Sequence, residues 1–237
     1  KQMNIVIILS GGVGSRMKMH QPKQYIIVNN KPIFLYSFLQ FCNRKDIDAF
    51  VIVAAQEWQQ FIKSTLQTIV FQQPVFFAMP GNCRQSSIVN AMKIAMQNLS
   101  IGDKDLVVIH DAVRPLVSET IISECLTHMD GFDGVLPVVP LKDTVYRSND
   151  NINILELLPR NELFAGQSPE CFYFLKYWAA NQNLSEREME RITGGAVLAH
   201  QAGLKIRLTE GSELNFKITT SKDLDDFRSF INMHHTL

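Results

Sequence analysis

The chain has 237 residues, 46% of them hydrophobic, which is enough to fill a sizeable α/β core. Its 23 Lys and Arg balance its 23 Asp and Glu, so no global basicity points to nucleic acid or an anionic membrane, and any anion site must be a local cluster of cations. No run approaches the length of a membrane span, and Cys42, Cys83, Cys125 and Cys171 lack the C-x-x-C spacing of a metal or redox pair, so reduced structural thiols in a cytoplasmic protein are expected.

The first predicted element is the apolar run Ile5 to Leu9, a buried strand. It breaks into Ser10-Gly11-Gly12-Val13-Gly14, whose glycines permit close backbone approach, and two cations follow, Arg16 and Lys23. A strand, then glycines with exposed N–H groups, then cations is a way to wrap a polyphosphate. The bland alternative is a strand-to-helix turn without a ligand. Neither common phosphate motif applies. No Gly-Lys-Ser/Thr occurs, and Met17 stands where G-x-G-x-x-G needs its third glycine.

Further on, apolar runs alternate with helical patterns. Strands are predicted at 51–55, 75–78, 106–109 and 135–139, each after a segment of helical period. That order implies a mostly parallel sheet covered on both faces, with ligands at the carboxyl ends of its strands. Three post-strand segments carry chemistry. Pro80 to Ser87 offers Gly81 for close approach and Asn82, Ser86 and Ser87 as hydrogen-bonding groups; read blandly, it is a helix start capped by Ser86 or Ser87. His110-Asp111-Ala112-Val113-Arg114-Pro115 ends an apolar strand with a carboxylate that is costly to bury unless paired or used. Asp111 suits a ribose hydroxyl or a metal's hydration shell, or else it pairs with Arg114. Residues 142–162 break the alternation, and two alternating runs around a polar turn predict a β-hairpin arm. Arg160 at its base suits a phosphate, unless it is an ordinary surface arginine. Lys217, within Asn215-Phe216-Lys217-Ile218-Thr219, reads on its own as a solvated lysine.

Gly11 to Met17 with Pro22-Lys23-Gln24-Tyr25 resembles the signature of the cytidylyltransferases that activate polyol phosphates. So do the Pro80 to Ser87 loop, the His110 to Pro115 block, Arg160 followed by Gln167-Ser168-Pro169, and Asn215 to Thr219 followed by Asp223-Leu224. That family includes 2-C-methyl-D-erythritol 4-phosphate and D-ribitol 5-phosphate enzymes. The resemblance runs from Ile5 to Phe227. It implies a three-layer, Rossmann-like nucleotidyltransferase, one domain over 1–237, whose arm at 142–162 joins a homodimer. It implies CTP held by Ser10, Gly11, Gly12, Gly14, Gly81, Asn82, Arg84, Ser87, Asp111 and Ala112. Arg16, Lys23 and Lys217 would stabilise the reacting phosphate, and Arg160, Thr193 and Asp111 would hold a polyol-phosphate acceptor. Mg²⁺ would bridge the triphosphate, with Asp111 reaching it through water.

Two positions depart from the family pattern: Gly194 follows Thr193 where Asp is usual, and Glu170 stands where Gln is usual. Residues 142–145, 163–169 and 184–188 resemble the ribitol branch more, so D-ribitol 5-phosphate is the expected acceptor and the methylerythritol phosphate the alternative. The two departures also motivate a reading of another class, a catalytically silent nucleotide-binding protein.

Overall fold

The computed structural model describes residues 1–12 and 21–234. Gly14 and Arg16 of the glycine loop therefore lie outside the described residues. In chain order the strands are β1 (Asn4–Leu9), β2 (Ile27–Val28), β3 (Lys31–Pro32), β4 (Ala49–Val53), β5 (Val75–Ala78), β6 (Leu106–Asp111), β7 (Gly134–Pro140), β8 (Val145–Arg147), β9 (Glu156–Leu158), β10 (Phe164–Gly166), β11 (Glu170–Tyr173) and β12 (Ile206–Glu210). The helices are α1 (Ile33–Cys42), α2 (Gln56–Leu66), α3 (Arg84–Asn98), α4 (Glu119–Thr127), α5 (Phe174–Asn181), α6 (Glu186–Arg191), α7 (Gly195–Gln201) and α8 (Ser221–Met233).

The main sheet runs β10-β7-β11-β6-β1-β4-β5, with β12 also pairing to β7. Strands β6, β1, β4 and β5 are parallel neighbours, as the alternation of strand and helix requires. The difference from expectation is β11, which inserts antiparallel between β6 and β7. It has four residues, Glu170 to Tyr173, and is covered on both faces, so it shows no period-two alternation before α5 begins at Phe174.

The apolar strands serve two cores at once. Val6 and Ile8 of β1 pack on the side of α1, α2 and α4, while Ile5 and Ile7 pack on the side of α3 and α5. Such burial stabilises by about 1.5–3 kcal/mol per large aliphatic side chain. A third cluster joins α8, through Leu224, Phe227 and Ile231, to Ile33, Tyr36, Val113 and Ile218. It anchors the segment that carries Lys217.

The register sets the site. Leu9 is level with Val53 on β4 and with Asp111 on β6, and Val53 is level with Ala78 on β5. The turns after β1, β5 and β6 therefore leave the sheet at one edge, the carboxyl end of the parallel strands. The expected hairpin is present: β8 and β9 pair antiparallel as a separate two-stranded sheet. Tyr146, Ile152, Ile154, Leu155 and Leu157 on it are all exposed.

Candidate active site

At the carboxyl edge, a cavity of about 570 Å³ is lined by Gly11, Gly12, Lys23, Asn82, Arg84, Asp111, Lys217 and Thr219, among others. A second, of about 320 Å³, is lined by Arg84, Asp111, Arg114, Glu170, Thr193, Gly194 and Lys217, with Leu136 and Val197 as apolar wall. Arg84, Asp111 and Lys217 face both.

The walls of the first cavity are built locally. Gln24 donates to the carbonyls of Ser10 and Gly12, at 2.7 and 2.8 Å, and so pins the turn after β1. Tyr25 donates to the Ser10 carbonyl at 2.8 Å and stacks on Trp58. Gly11 is required here because a Cβ would lie 2.7 Å from the Pro80 side chain. Across the cavity, Gly81 N–H donates to Ser87 Oγ at 2.9 Å, and a Cβ on Gly81 would sit 2.2 Å from Ser86 Oγ. The cap of α3 is Cys83, with Ser86 completing a capping box, in place of the Ser86 or Ser87 cap expected.

The charges come from further away. Asp111 Oδ2 accepts from Lys217 Nζ at 2.8 Å, Arg84 Nε approaches Oδ1 at 3.5 Å, and Arg114 Nε stands 3.9 Å off. The expected Asp111–Arg114 pair is thus the loosest of three. Burial opposes ionisation of Asp111, but Arg84, then Lys217 and Arg114, outweigh it and hold the carboxyl well below the usual carboxylate range. Arg84 reaches Glu170 Oε1 with Nη2 at 3.0 Å. Burial opposes its charge as well, yet Asp111 and Glu170 hold the guanidinium more firmly protonated than usual. Its buried Nη1 has no partner among the described residues, the state of a donor set to meet an anion. Glu170 is buried, and desolvation pushes its pKa up against the pull of Arg84.

Behind these groups lies a fixed frame. Asp111 N–H donates to Ser168 Oγ, and Ser168 Oγ meets His110 Nδ1, both at 3.1 Å. His110 Nε2 meets the Arg114 carbonyl at 3.1 Å. A neutral imidazole protonated on Nε2 satisfies all three contacts, and burial lowers the His110 pKa to about 4. Asn215, fully buried, donates to the Ser168 carbonyl at 2.8 Å, while its own carbonyl accepts from Arg114 Nη1 at 2.5 Å. Asn215 thereby fastens the Lys217 segment to the loop before β11.

The structure brings Gly11, Gly12, Lys23, Gly81, Asn82, Arg84, Ser87, Asp111, Thr193 and Lys217 around the two cavities. Ser10 and Ala112 do not line them. Ser10 is buried with its hydroxyl donating to Tyr25, and the Ala112 carbonyl accepts from Ser37. Arg160 is exposed at the base of the arm, bonded to the Lys142 carbonyl, and lines neither cavity. Sequence reasoning missed Gln24, Glu170 and Ser168 as working parts, though each stood inside a motif already singled out.

A magnesium–triphosphate complex fits the donor set in one respect. Asp111 is the single acid among the described residues that line the larger cavity, and Mg²⁺ is commonly held by one or two carboxylates plus phosphate oxygens. No group of three or more His, Cys, Asp or Glu that could hold a metal ion occurs among the described residues.

Solved structures share this architecture. The 4-diphosphocytidyl-2C-methyl-D-erythritol synthase of Anaerococcus prevotii DSM 20548 superposes with a TM-score of 0.82 at 22% identity, covering 98% of this chain and 96% of that one. The 2-C-methyl-D-erythritol 4-phosphate cytidylyltransferase of Francisella tularensis gives 0.78 at 24% identity, covering 96% and 100%. The bifunctional IspDF of Campylobacter jejuni gives 0.76 at 22% identity, covering 94% of this chain and 54% of that one. At these identities they establish the fold. The family model "IspD: 2-C-methyl-D-erythritol 4-phosphate cytidylyltransferase" matches residues 4–232. With that match across nearly its whole length, the chain belongs to the IspD family and is a CTP-dependent cytidylyltransferase.

Proposed function

We propose that this chain transfers the cytidylyl group of CTP to 2-C-methyl-D-erythritol 4-phosphate. An oxygen of the acceptor phosphate attacks the α-phosphorus in line, the bond to the β-phosphate oxygen breaks, and pyrophosphate leaves. The acceptor phosphate is already anionic, so no residue need act as a covalent nucleophile. The observation that carries the reading is the sharing of Arg84, Asp111 and Lys217 between a larger and a smaller cavity. CTP would occupy the larger, the acceptor the smaller, and the reacting phosphates would meet at the shared cations. Positioning and charge stabilisation then supply most of the rate. Mg²⁺ would arrive on the triphosphate, with Asp111 as its protein contact, and neutralise further charge.

The family match favours the methylerythritol acceptor over D-ribitol 5-phosphate, toward which residues 142–145, 163–169 and 184–188 lean. Side-by-side kcat/KM on the two acceptors decides between them. Release of pyrophosphate only when CTP, an acceptor and Mg²⁺ are all present is expected. Binding of CTP without turnover on either acceptor would return the silent-binder reading.

The arm joins two copies of the chain in this reading. Its exposed apolar residues need a partner surface, since a two-stranded hairpin is marginal alone in water. Arg160, which lines neither of its own subunit's cavities, would serve the neighbour's acceptor phosphate. Mixing Arg160→Ala with Lys23→Ala subunits should then restore activity. Subunit exchange without restored activity would remove Arg160 from the site.

A further inference from the structure

The smaller cavity has a notch that its neighbours leave open. Gly194, ahead of α7, has φ −159 and ψ 154, extended backbone that any residue adopts. A Cβ there would meet one atom within 4 Å, Glu170 Oε1 at 3.8 Å. Nothing in the backbone or the packing therefore demands glycine at this position, and its absent side chain leaves space beside a buried carboxylate. Gly195 is the opposite case. A Cβ on it would lie 2.3 Å from Glu170 Oε2 and 2.9 Å from the Tyr177 hydroxyl. That glycine lets Glu170 lie against α7, where Oε2 accepts Ala196 N–H at 2.8 Å. Arg84 Nη2 fixes the other oxygen at 3.0 Å. Glu170 is thus held from two sides, with Oε1 at the edge of the notch.

We infer that the notch at Gly194 receives a hydroxyl-bearing carbon of the acceptor and that Glu170 Oε1 accepts the hydrogen bond of that hydroxyl. This rests on the reading that the polyol phosphate occupies the smaller cavity. Three cations there, Arg84, Arg114 and Lys217, suit the acceptor's phosphate, and a carboxylate with a remaining lone pair suits its hydroxyls. Glu170 thereby becomes a specificity-determining residue, and the two departures from the family pattern become one device. The carboxylate that position 194 lacks is supplied from position 170. A second carboxylate at 194 would crowd like charge against it.

The test is a swap. Gly194→Ala fills the notch at ordinary van der Waals distance, so the fold should keep its Tm. Affinity for 2-C-methyl-D-erythritol 4-phosphate and D-ribitol 5-phosphate, titrated calorimetrically with Mg²⁺ and α,β-methylene-CTP bound so that no pyrophosphate can leave, is compared with affinity for CTP alone. Gly194→Ala should weaken the better of the two acceptors at least tenfold and leave CTP affinity within twofold. Gly194→Asp should weaken it as well, and Gly194→Asp with Glu170→Gln should recover much of the loss. If wild type binds an acceptor and Gly194→Ala binds it equally well, the inference falls and the reading of the cavity stands. If the Gly194→Asp loss is not relieved by Glu170→Gln, the exchange of carboxylates is wrong. If wild type binds neither polyol phosphate, both fall.

Discussion

The two cavities that meet at Arg84 are built in different ways. The larger is made of turns whose shape is fixed within a few residues: Gln24 on the carbonyls of Ser10 and Gly12, Ser87 on Gly81, Cys83 with Ser86 on the start of α3. The smaller is made of charges drawn from distant parts of the chain, Arg84, Asp111, Glu170 and Lys217, each buried or half-buried and each needing another. One takes its shape mainly from short-range turns and caps, with Arg84, Asp111 and Lys217 along the wall it shares. The other is a charge network in which every member is conditional on the rest.

Arg84 is where that contrast is broken most severely. Removing it leaves Asp111 without one cation and Glu170 without its only cation among the described contacts. Breaking a buried pair in this way typically costs about 3–5 kcal/mol. Arg84→Ala is expected to lose stability on that scale in urea unfolding, together with CTP affinity. Adding Glu170→Gln should recover part of the stability and none of the turnover. Stability unchanged in Arg84→Ala would mean that the network is no unit.

Lys217 and Lys23 separate chemistry from folding. Lys217 bonds Asp111 at 2.8 Å but stays partly solvent-exposed, and Asp111 keeps Arg84 and Arg114 without it, so its removal should cost less stability than that of Arg84. Loss of one preorganised charge donor at the reacting phosphate is worth roughly 10²–10³ in kcat. Lys217→Ala and Lys23→Ala should each show a fall of that size, with a smaller loss of Tm than in Arg84→Ala. A variant with near-normal kcat would lose its catalytic assignment.

The family resemblance points to these two lysines and Asp111, and all three line the larger cavity; read from its own residues alone, Lys217 is a solvated lysine. The parallel core was legible too, since Ile5 to Leu9 and Leu106 to Ile109 are apolar on both faces. Glu170 was visible as an odd residue, but nothing local says that it holds Arg84, because that contact spans 86 positions. For the same reason nothing local in the sequence says which subunit Arg160 serves: it stands at the base of the hairpin, bonded to the Lys142 carbonyl and lining neither cavity of its own chain. Strand β11 stayed hidden because a short strand buried on both sides has no alternation to read.

The frame behind Asp111 predicts a pH dependence. His110 is fully buried and neutral, with a pKa of about 4 against an ordinary 6.5. Between those values the unfolded chain binds more protons than the folded one, so stability rises with pH across that window. The contribution is present above 6.5 and is lost as pH falls toward 4, about 3 kcal/mol over the whole interval. Asp111, held below its ordinary range, weakens the fold only at still lower pH. Glu170, raised by burial, acts in the opposite sense, because stability from its protonated form declines as pH rises above its ordinary value. His110→Gln should flatten the curve between pH 4 and 6.5 and leave the region below 4 in place. A curve equally steep in the variant would remove His110 as its source.

The smallest expected effect lies in the backbone-built cavity. Cys83 lines it, and its thiol caps α3 by accepting from Ser86 N–H at 3.4 Å. A serine hydroxyl in that place is among the better helix caps and nearly the same shape, so Cys83→Ser should change stability by well under about 1 kcal/mol, in the favourable direction. The sulfur also meets Ser86 Oγ, a contact a hydroxyl can take over, while Cys83 N–H and the Cys83 carbonyl make the other contacts to Ser86 and Ser87 that shape the loop. KM for CTP and kcat should both stay within twofold. The matching conservative change in the charged cavity is Lys217→Arg. It preserves the charge but replaces a compact ammonium, 2.8 Å from Asp111, with a longer planar fork that places its charge elsewhere, so kcat should fall at least tenfold. Measured together, the pair isolates the contrast between the two cavities. If Cys83→Ser costs as much as Lys217→Arg, the nucleotide loop depends on its side chains after all, and the division drawn between a backbone site and a charge network is wrong.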